Sequence, residues 1–306
     1  MRKYLDRIRE ILHKVDYLYD THRHYDLKDP KVIMGRVLAE MNRQKQISSL
    51  AEVEFQVFSQ FGDDGIIQYL VANLDIPHKT FIEFGVENYK EANTRYLLIN
   101  NNWSGLIMDG SESNIKFVKN DPISMFNELH SKCAFITRDN INKLLKGFLD
   151  EGYDAEVGIL SIDIDGNDYW IWNEMNVISP VIVIAEYNAV FGAENAWTIP
   201  YKADFYRLSD HHSHQYWGAS LKAFNFLAEK KGYSFVGCNS AGNNAYFIRK
   251  DKIGRLKPIT VRDGFVDSRF MEDVDKNGNG IHGKKRLELV KGMPIFNVET
   301  DKLETI

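Results

Sequence analysis

The sequence predicts an α/β fold: a Rossmann-like, mostly parallel seven-stranded sheet ending in an antiparallel hairpin, with a helical extension in front of it. Three observations carry this expectation. From about residue 55 to 250, short apolar runs alternate with segments of helical periodicity. The runs are nearly continuous in apolar residues, as strands buried on both faces are, and such strands belong to parallel sheets covered by helices. The region closes with two strand-like stretches joined by a Gly/Asn turn, which reads as a hairpin.

The elements follow in order. Leu5, Ile8, Ile11, Leu12, Val15 and Leu18 recur at helical spacing among charged residues. They predict an amphipathic helix that packs on its own domain or pairs with a partner, including a second copy. Asp29-Pro30 marks a break, and a second amphipathic stretch runs from about Val32 to Met41. Strands are expected at Thr80–Val86, Gly105–Met108, Ala134–Thr137, Val157–Ile164 and Pro180–Tyr187. Helices are expected between them at Glu91–Asn101, Ser113–Lys119, Ile141–Glu151 and Tyr169–Met175. Ser220–Gly232 reads as a helix with a glycine C-cap, followed by hairpin strands Tyr233–Cys238 and Asn244–Lys250. The expected division is a helical extension over 1–54, the α/β domain over 55–254 and an irregular extension packed on it over 255–306. Within the last part, Asp273–Lys285 starts like a calcium loop. Lys284 occupies the position that needs a bidentate Glu, so a surface turn is expected.

Composition narrows the function classes. The chain has 306 residues, 44% hydrophobic and 26% charged, with a formal net charge of −5. That balance argues against nucleic-acid binding, which needs a basic surface against phosphates. No signal-peptide core and no stretch of the ~20 apolar residues that span a bilayer is visible, which points to a cytoplasmic protein. Cys133 and Cys238 have neither CxxC nor zinc spacing and are expected as buried free thiols.

The candidate site residues lie where predicted strands end, since parallel sheets bind ligands beyond their carboxyl edge. In FIEFGVEN, Glu83 precedes Gly85, and a glycine at a strand-to-helix turn lets a ligand approach the backbone. Glu87 stands where nucleotide-binding turns usually carry a second glycine. In GLIMDGS, Asp109 ends the next strand, close to the ~20-residue interval at which an acid accepts ribose hydroxyls. In LSIDIDGNDYWIW, Asp163 and Asp165 follow a fully apolar run, where they must be solvated, paired or metal-bound. Asp168 is expected to cap the following helix. In VIVIAEYNAVFG, Glu186 and Asn188 follow another buried strand. With Asp163 or Asp165 they make an all-oxygen set suited to Mg²⁺ or Mn²⁺. His211, His212 and His214 cluster in SDHHSHQYWGAS, where His211 and His212 are candidate general bases. Aromatics in Ala196–Tyr206 suit a sugar-stacking wall or the core. Gln60 and the Asp63-Asp64-Gly65 turn open a helix that can cap itself or hold a cofactor amino group.

In combination, SQFGDDGII, FIEFGVEN, GLIMDGS, LSIDIDGNDYWIW and the YWGASLKAFNFLAEKKGYSFVGCNSAGNNAYFIRKD segment resemble FkbM-type S-adenosylmethionine (SAM) dependent methyltransferases of bacterial polysaccharide and natural-product pathways. The resemblance spans roughly residues 55–250. It implies a class I fold, whose last strand inserts antiparallel, a SAM cofactor, and methyl transfer to a hydroxyl, often on a sugar or sugar nucleotide. By motif position it implies that the Gly85 turn and Asp109 bind the cofactor, with Gln60, Asp64, Glu83 and Glu87 as further candidate contacts beside them. It also implies that Asp139 lies near its adenine, and that Asp163, Asp165 and Glu186 face the acceptor. Two other readings stay open: a nicotinamide-dependent oxidoreductase of sugar nucleotides, disfavoured by the missing GxGxxG, and a non-catalytic Rossmann-like binding module.

Overall fold

The computed structural model describes residues 29–268, 280–281 and 285–306. The helix expected over residues 5–18, and most of the calcium-loop-like stretch, lie outside the described residues.

Helix α1 (Pro30–Asn42) starts where Asp29-Pro30 predicts, with the Asp29 carboxylate accepting from Lys31 N at 2.7 Å and proline in the first turn. It buries Val32 and leaves Ile33, Met34, Val37 and Met41 exposed. Helix α2 (Asp63–Asn73) leads into β1 (Thr80–Phe84). Then come α3 (Arg95–Asn101), β2 (Ser104–Asp109), α4 (Glu112–Asn120), the single turn α5 (Ile123–Phe126) and β3 (Leu129–Cys133). Next are α6 (Ile141–Leu149), β4 (Ile159–Ile162), α7 (Asp168–Glu174) and β5 (Ile182–Glu186). After the short β6 (Trp197–Thr198) and α8 (Arg207–Asp210), helix α9 (Leu221–Lys230) precedes the hairpin β7 (Tyr233–Cys238) and β8 (Asn244–Arg249). Ser111 and Ser220 cap α4 and α9 by accepting from Asn114 N and Ala223 N, and Gly232 ends α9 at φ +84°.

The seven-stranded sheet has the order β3-β2-β1-β4-β5-β8-β7. All neighbouring pairs from β3 to β5 are parallel, and β8 runs antiparallel between β5 and β7. This is the Rossmann-like, mostly parallel seven-stranded sheet with an antiparallel ending expected from the sequence. Alternation along each strand divides the core. Ile82, Phe84, Leu160, Ile162, Val183 and Phe247 face one side, under α6, α7 and α9. Phe81, Ile107, Ile159, Ile182, Ile184 and Tyr246 face the other, under α2 and α3. The chain order reverses between β1 and β4, the switch point at which α/β sheets open a crevice.

Three expectations need correction. The third strand is Leu129–Cys133, not Ala134–Thr137. As an edge strand it is half exposed and needs no apolar run, while Ala134 N closes the ladder on Asp109 O and the chain then turns away. The region after 255 is not wholly irregular. After the turn α10 (Val261–Gly264) and α11 (Lys285–Leu289), β9 (Pro294–Asn297) and β10 (Lys302–Thr305) form a hairpin. That hairpin joins β6 in a second, three-stranded antiparallel sheet. Its small core holds Phe191, Ile199, Trp217, Val290 and Ile295. Cys238 is buried as expected, but Cys133 is exposed; both are free thiols. Among the described residues, no helix is long and apolar enough to cross a membrane.

Candidate active site

A cleft of about 890 Å³ opens over the carboxyl ends of β2, β1, β4 and β5, at the switch point of the sheet. Gly85 begins the turn after β1. Its N–H donates to Met108 O at 2.9 Å, and its φ is +71°. A Cβ there would lie 1.6 Å from the Asp163 carbonyl oxygen, so no other residue fits without parting β1 from β4. Two residues on, Glu87 has φ +47°, the conformation that a second glycine would adopt at ease. The departure from the usual pattern is therefore one of side chain, not of backbone shape.

Asp109 ends β2 and is buried. Its Oδ2 accepts from Glu87 N at 2.8 Å, which ties the Gly85 turn to the second strand. Its Oδ1 accepts from Ser111 N at 2.8 Å and Asn114 Nδ2 at 3.2 Å. A carboxylate has about four acceptor positions, so Oδ2 keeps room for a ligand hydroxyl. Glu83 lines the cleft too, but its oxygens accept from Asn93 N, Thr94 N and Thr94 Oγ1, fixing the start of α3 to the strand end. Burial pushes its carboxyl up, and those donors pull it back. Gln60 and Glu87 line the same half of the cleft.

The other half is built by β4 and β5. Asp163, Asp165 and Glu186 offer oxygens that all lie within 4.8 Å of one another. Burial pushes the Asp163 and Glu186 carboxyls well above the usual range, and the neighbouring carboxylates push them further. Two like charges so close out of water do not both ionise readily. Glu186 Oε2 is buried and meets no partner among the described residues. Asp165, at φ +56°, pairs with the Arg207 guanidinium at 2.6 Å. Arg207 also donates to His214 O at 2.9 Å and lies over the Trp217 ring, 4.6 Å from its centroid. Asp168 shapes the loop between them: its two oxygens accept from Ile164 N and Gly166 N, each at 2.8 Å. Burial raises its carboxyl to about 6. It folds the loop back rather than merely starting the helix.

Five further candidates sit elsewhere than the sequence suggested. Asp64 is buried below the cleft and accepts from the backbone N–H of Val57, Phe58 and Ser59, so it shapes the 57–59 loop. Asp139 is exposed and does not line the cleft; Ala134, Phe135 and Ile136 do, because β3 ends earlier than expected. Asn188 is buried and does not line the cleft: its Nδ2 donates to Gln215 O and Trp217 O, and its Oδ1 accepts from Val190 N, which ties it to the neighbouring loops. Both aspartates of the expected set, Asp163 and Asp165, join Glu186 in the oxygen cluster. His211 and His212 do not line the cleft; their rings meet at a tilt with centroids 4.3 Å apart, and His211 bonds Ser213 Oγ. His214 is the histidine that lines the cleft. Phe205 and Tyr206, from the aromatic-rich stretch, form the wall facing the carboxylates. Reasoning from sequence passed over Arg207 and the pair Asn243–Asn244, which also line the cleft; nothing in their local pattern separates them from ordinary loop residues.

No protein-family model and no curated protein matches the chain. Solved structures do. An O-methyltransferase from Bacillus cereus, in complex with SAH, is 12% identical, with 75% of this chain and 96% of that one covered and a TM-score of 0.39. A S-adenosylmethionine-dependent methyltransferase from Clostridium acetobutylicum is 11% identical, with 61% and 89% covered and a TM-score of 0.37. An O-methyltransferase family protein from Burkholderia thailandensis is 10% identical, with 79% and 59% covered and a TM-score of 0.35. At such identities the chemistry has to come from the cleft's own residues.

Proposed function

We propose that the chain is a SAM-dependent methyltransferase that methylates a hydroxyl of a saccharide, in the assembly of a bacterial surface polysaccharide. The observation that carries the cofactor is the joined turn. Gly85 is fixed by the backbone of β4, and Glu87 N–H is locked onto Asp109 at the end of β2. This leaves a glycine-floored cradle beside a buried carboxylate, which suits an adenosyl group and its ribose. The saccharide acceptor and the FkbM-type kinship rest on the motif resemblance, and the Tyr206 wall is compatible with them.

The bound cofactor supplies an electrophilic sulfonium methyl. The residues of the chain do the rest. The Asp163–Glu186 pair, kept partly protonated by burial and mutual repulsion, accepts the proton of the attacking hydroxyl through its ionised member. The hydroxyl oxygen, its proton taken by that pair, would accept the methyl as the S–CH₃ bond breaks, with S-adenosylhomocysteine (SAH) as the other product. Arg207 holds Asp165 beside the pair and limits the negative charge there. Catalysis on this account comes chiefly from positioning and charge placement. A methyl-transfer assay with labelled SAM over a saccharide panel tests the reading, alongside SAH and NAD calorimetry. Binding of NAD but not SAH would replace it with the oxidoreductase reading.

A second version adds a metal. The partnerless Glu186 Oε2, within reach of Asp163 and Asp165, suits Mg²⁺ or Mn²⁺, which would lower the pKa of a coordinated hydroxyl. Turnover that stops on chelation and returns with either ion supports this version; full turnover after rigorous chelation removes it.

A further inference from the structure

Directly behind the carboxylates lies a buried polar network that the proposed chemistry does not use. Asp63, at the start of α2, is wholly buried. It faces donors: Tyr246 hydroxyl, Asn239 Nδ2 at 3.1 Å and Asn244 Nδ2 at 3.1 Å. Asp63 accepts from all three, so each of these side chains turns its hydrogen toward it. The consequence passes outward. Asn244 gives its amide nitrogen to Asp63, so its Oδ1 points away. Asn239 has its oxygen engaged by the N–H groups of Gly242, Asn243 and Asn244, and gives its nitrogen to Asn243 Oδ1 at 2.8 Å as well as to Asp63. Asn243 Nδ2 is therefore turned outward too. Both residues line the cleft, and Asn244 is the register partner of Glu186 across the β5–β8 ladder.

We propose that Asn243 and Asn244 form an acceptor-binding subsite, with one outward donor and one outward acceptor whose polarity is imposed by Asp63, and that it takes adjacent hydroxyls of a phosphate-free saccharide. The proposal rests on the methyltransferase reading for the direction in which the acceptor lies. A hydroxyl both gives and receives, so neighbouring hydroxyls match the pair: one accepts from Asn243 Nδ2 and one donates to Asn244 Oδ1. The charge of the cleft excludes phosphate. Seven carboxyl side chains line it, of which the Asp163–Glu186 pair resists full ionisation, against one guanidinium, Arg207, which is committed to Asp165. A phosphate or nucleotide diphosphate would meet like charge and no unengaged cation among the lining residues. Of the acceptors implied by the resemblance, this favours the neutral saccharide over the sugar nucleotide.

The test uses the full chain, isotopically labelled, with SAH bound. Methyl glycosides of glucose, mannose and galactose are titrated while the side-chain amide signals of Asn243 and Asn244 are followed by NMR; glucose 6-phosphate and UDP-glucose serve as charged counterparts. The expected result is a saturable shift of the Asn243 amide with at least one glycoside, at least ~10-fold weaker binding of the phosphorylated forms, and SAH affinity unaltered. Asn243→Ala is expected to weaken the responding glycoside ~10-fold without changing SAH binding. Asp63→Asn should do the same by releasing the amide orientation; if that variant does not fold, Tyr246→Phe serves in its place. Bound SAH with no amide shift for any glycoside overturns the subsite, as does tighter binding of UDP-glucose. Failure to bind SAH instead sinks the methyltransferase reading, and the glycoside titration of the free protein still decides on the subsite.

Discussion

Gly85→Ala puts a methyl group where the backbone of β4 already lies. The added Cβ would stand 1.6 Å from the Asp163 carbonyl oxygen, whereas ordinary contact begins near 3.4 Å, so the ends of β1 and β4 must separate by nearly 2 Å. An alanine at φ +71° adds ~1–2 kcal/mol of backbone strain. Overpacking adds another ~1–3 kcal/mol. A combined loss of ~2–5 kcal/mol leaves the domain folded if its stability is the usual ~5–15 kcal/mol. At ~2 °C per kcal/mol for a large domain, the melting temperature should fall by roughly 4–10 °C. The same displacement shifts the Glu87 N–H and Asp109 pairing at the heart of the cradle, so SAH affinity should drop ~10–100-fold, or ~1.4–2.8 kcal/mol. Urea unfolding and calorimetry read the two effects. Gly232→Ala is the control: its φ is +84° and nothing lies within 4 Å of the added carbon, so only backbone strain is expected and SAH binding should be untouched. Equal urea midpoints for the two variants, with Gly85→Ala binding SAH within twofold of wild type, would refute the argument.

Asp163→Asn and Glu186→Gln are expected to lower turnover ~10²–10⁴-fold while SAH binds as in wild type; comparable weakening of SAH in both would contradict the separate roles of the two halves of the cleft. With chelator present, the Glu186 carboxyl followed by ¹³C NMR should titrate above the ordinary glutamate range. In Asp163→Asn its midpoint should move down, because burial remains but the charge that repels its ionisation is gone. An unmoved midpoint would show that the two carboxyls do not interact. Asp168 supplies a pH test of stability. Its folded value of about 6, against 3.8 ordinarily, means that the folded state keeps a proton which the unfolded chain releases. Its contribution is full below about pH 4 and is lost as pH rises through 6. Asp168→Asn, although less stable overall, should therefore lose less stability than wild type between pH 4 and 6.5 in urea titrations; parallel slopes would count against the buried, raised carboxyl.

The central strands were legible because burial on both faces leaves no choice but apolar residues, as in TFIEF of β1 and IVIAE of β5. Acids placed just past such runs stand out for the same reason, which is how Asp109, Asp163 and Glu186 were found. Edge elements gave no comparable signal. LHSKC of β3 is half exposed, and β6 is two residues long and becomes a strand only through β9, about a hundred residues later in the chain. Side-chain commitments were invisible as well. Asn188 looks like a ligand until the carbonyls of Gln215 and Trp217 claim its amide, and Asp64 looks like a cofactor contact until the 57–59 loop wraps onto it. Among the three histidines only the backbone decides which one lines the cleft: His214 sits at φ +56°, a conformation that spacing does not encode. The polarity of Asn243 and Asn244 is more distant still, since it originates at Asp63, some 180 residues earlier.

A crystal structure of the protein grown with SAH bears most directly on where the nucleoside sits. The account requires the adenosyl group on the floor formed by Gly85, with a ribose hydroxyl on Asp109 Oδ2 and the sulfur turned toward Asp163 and Glu186. Density for SAH at another place, or a cleft that stays empty at millimolar SAH, would contradict it.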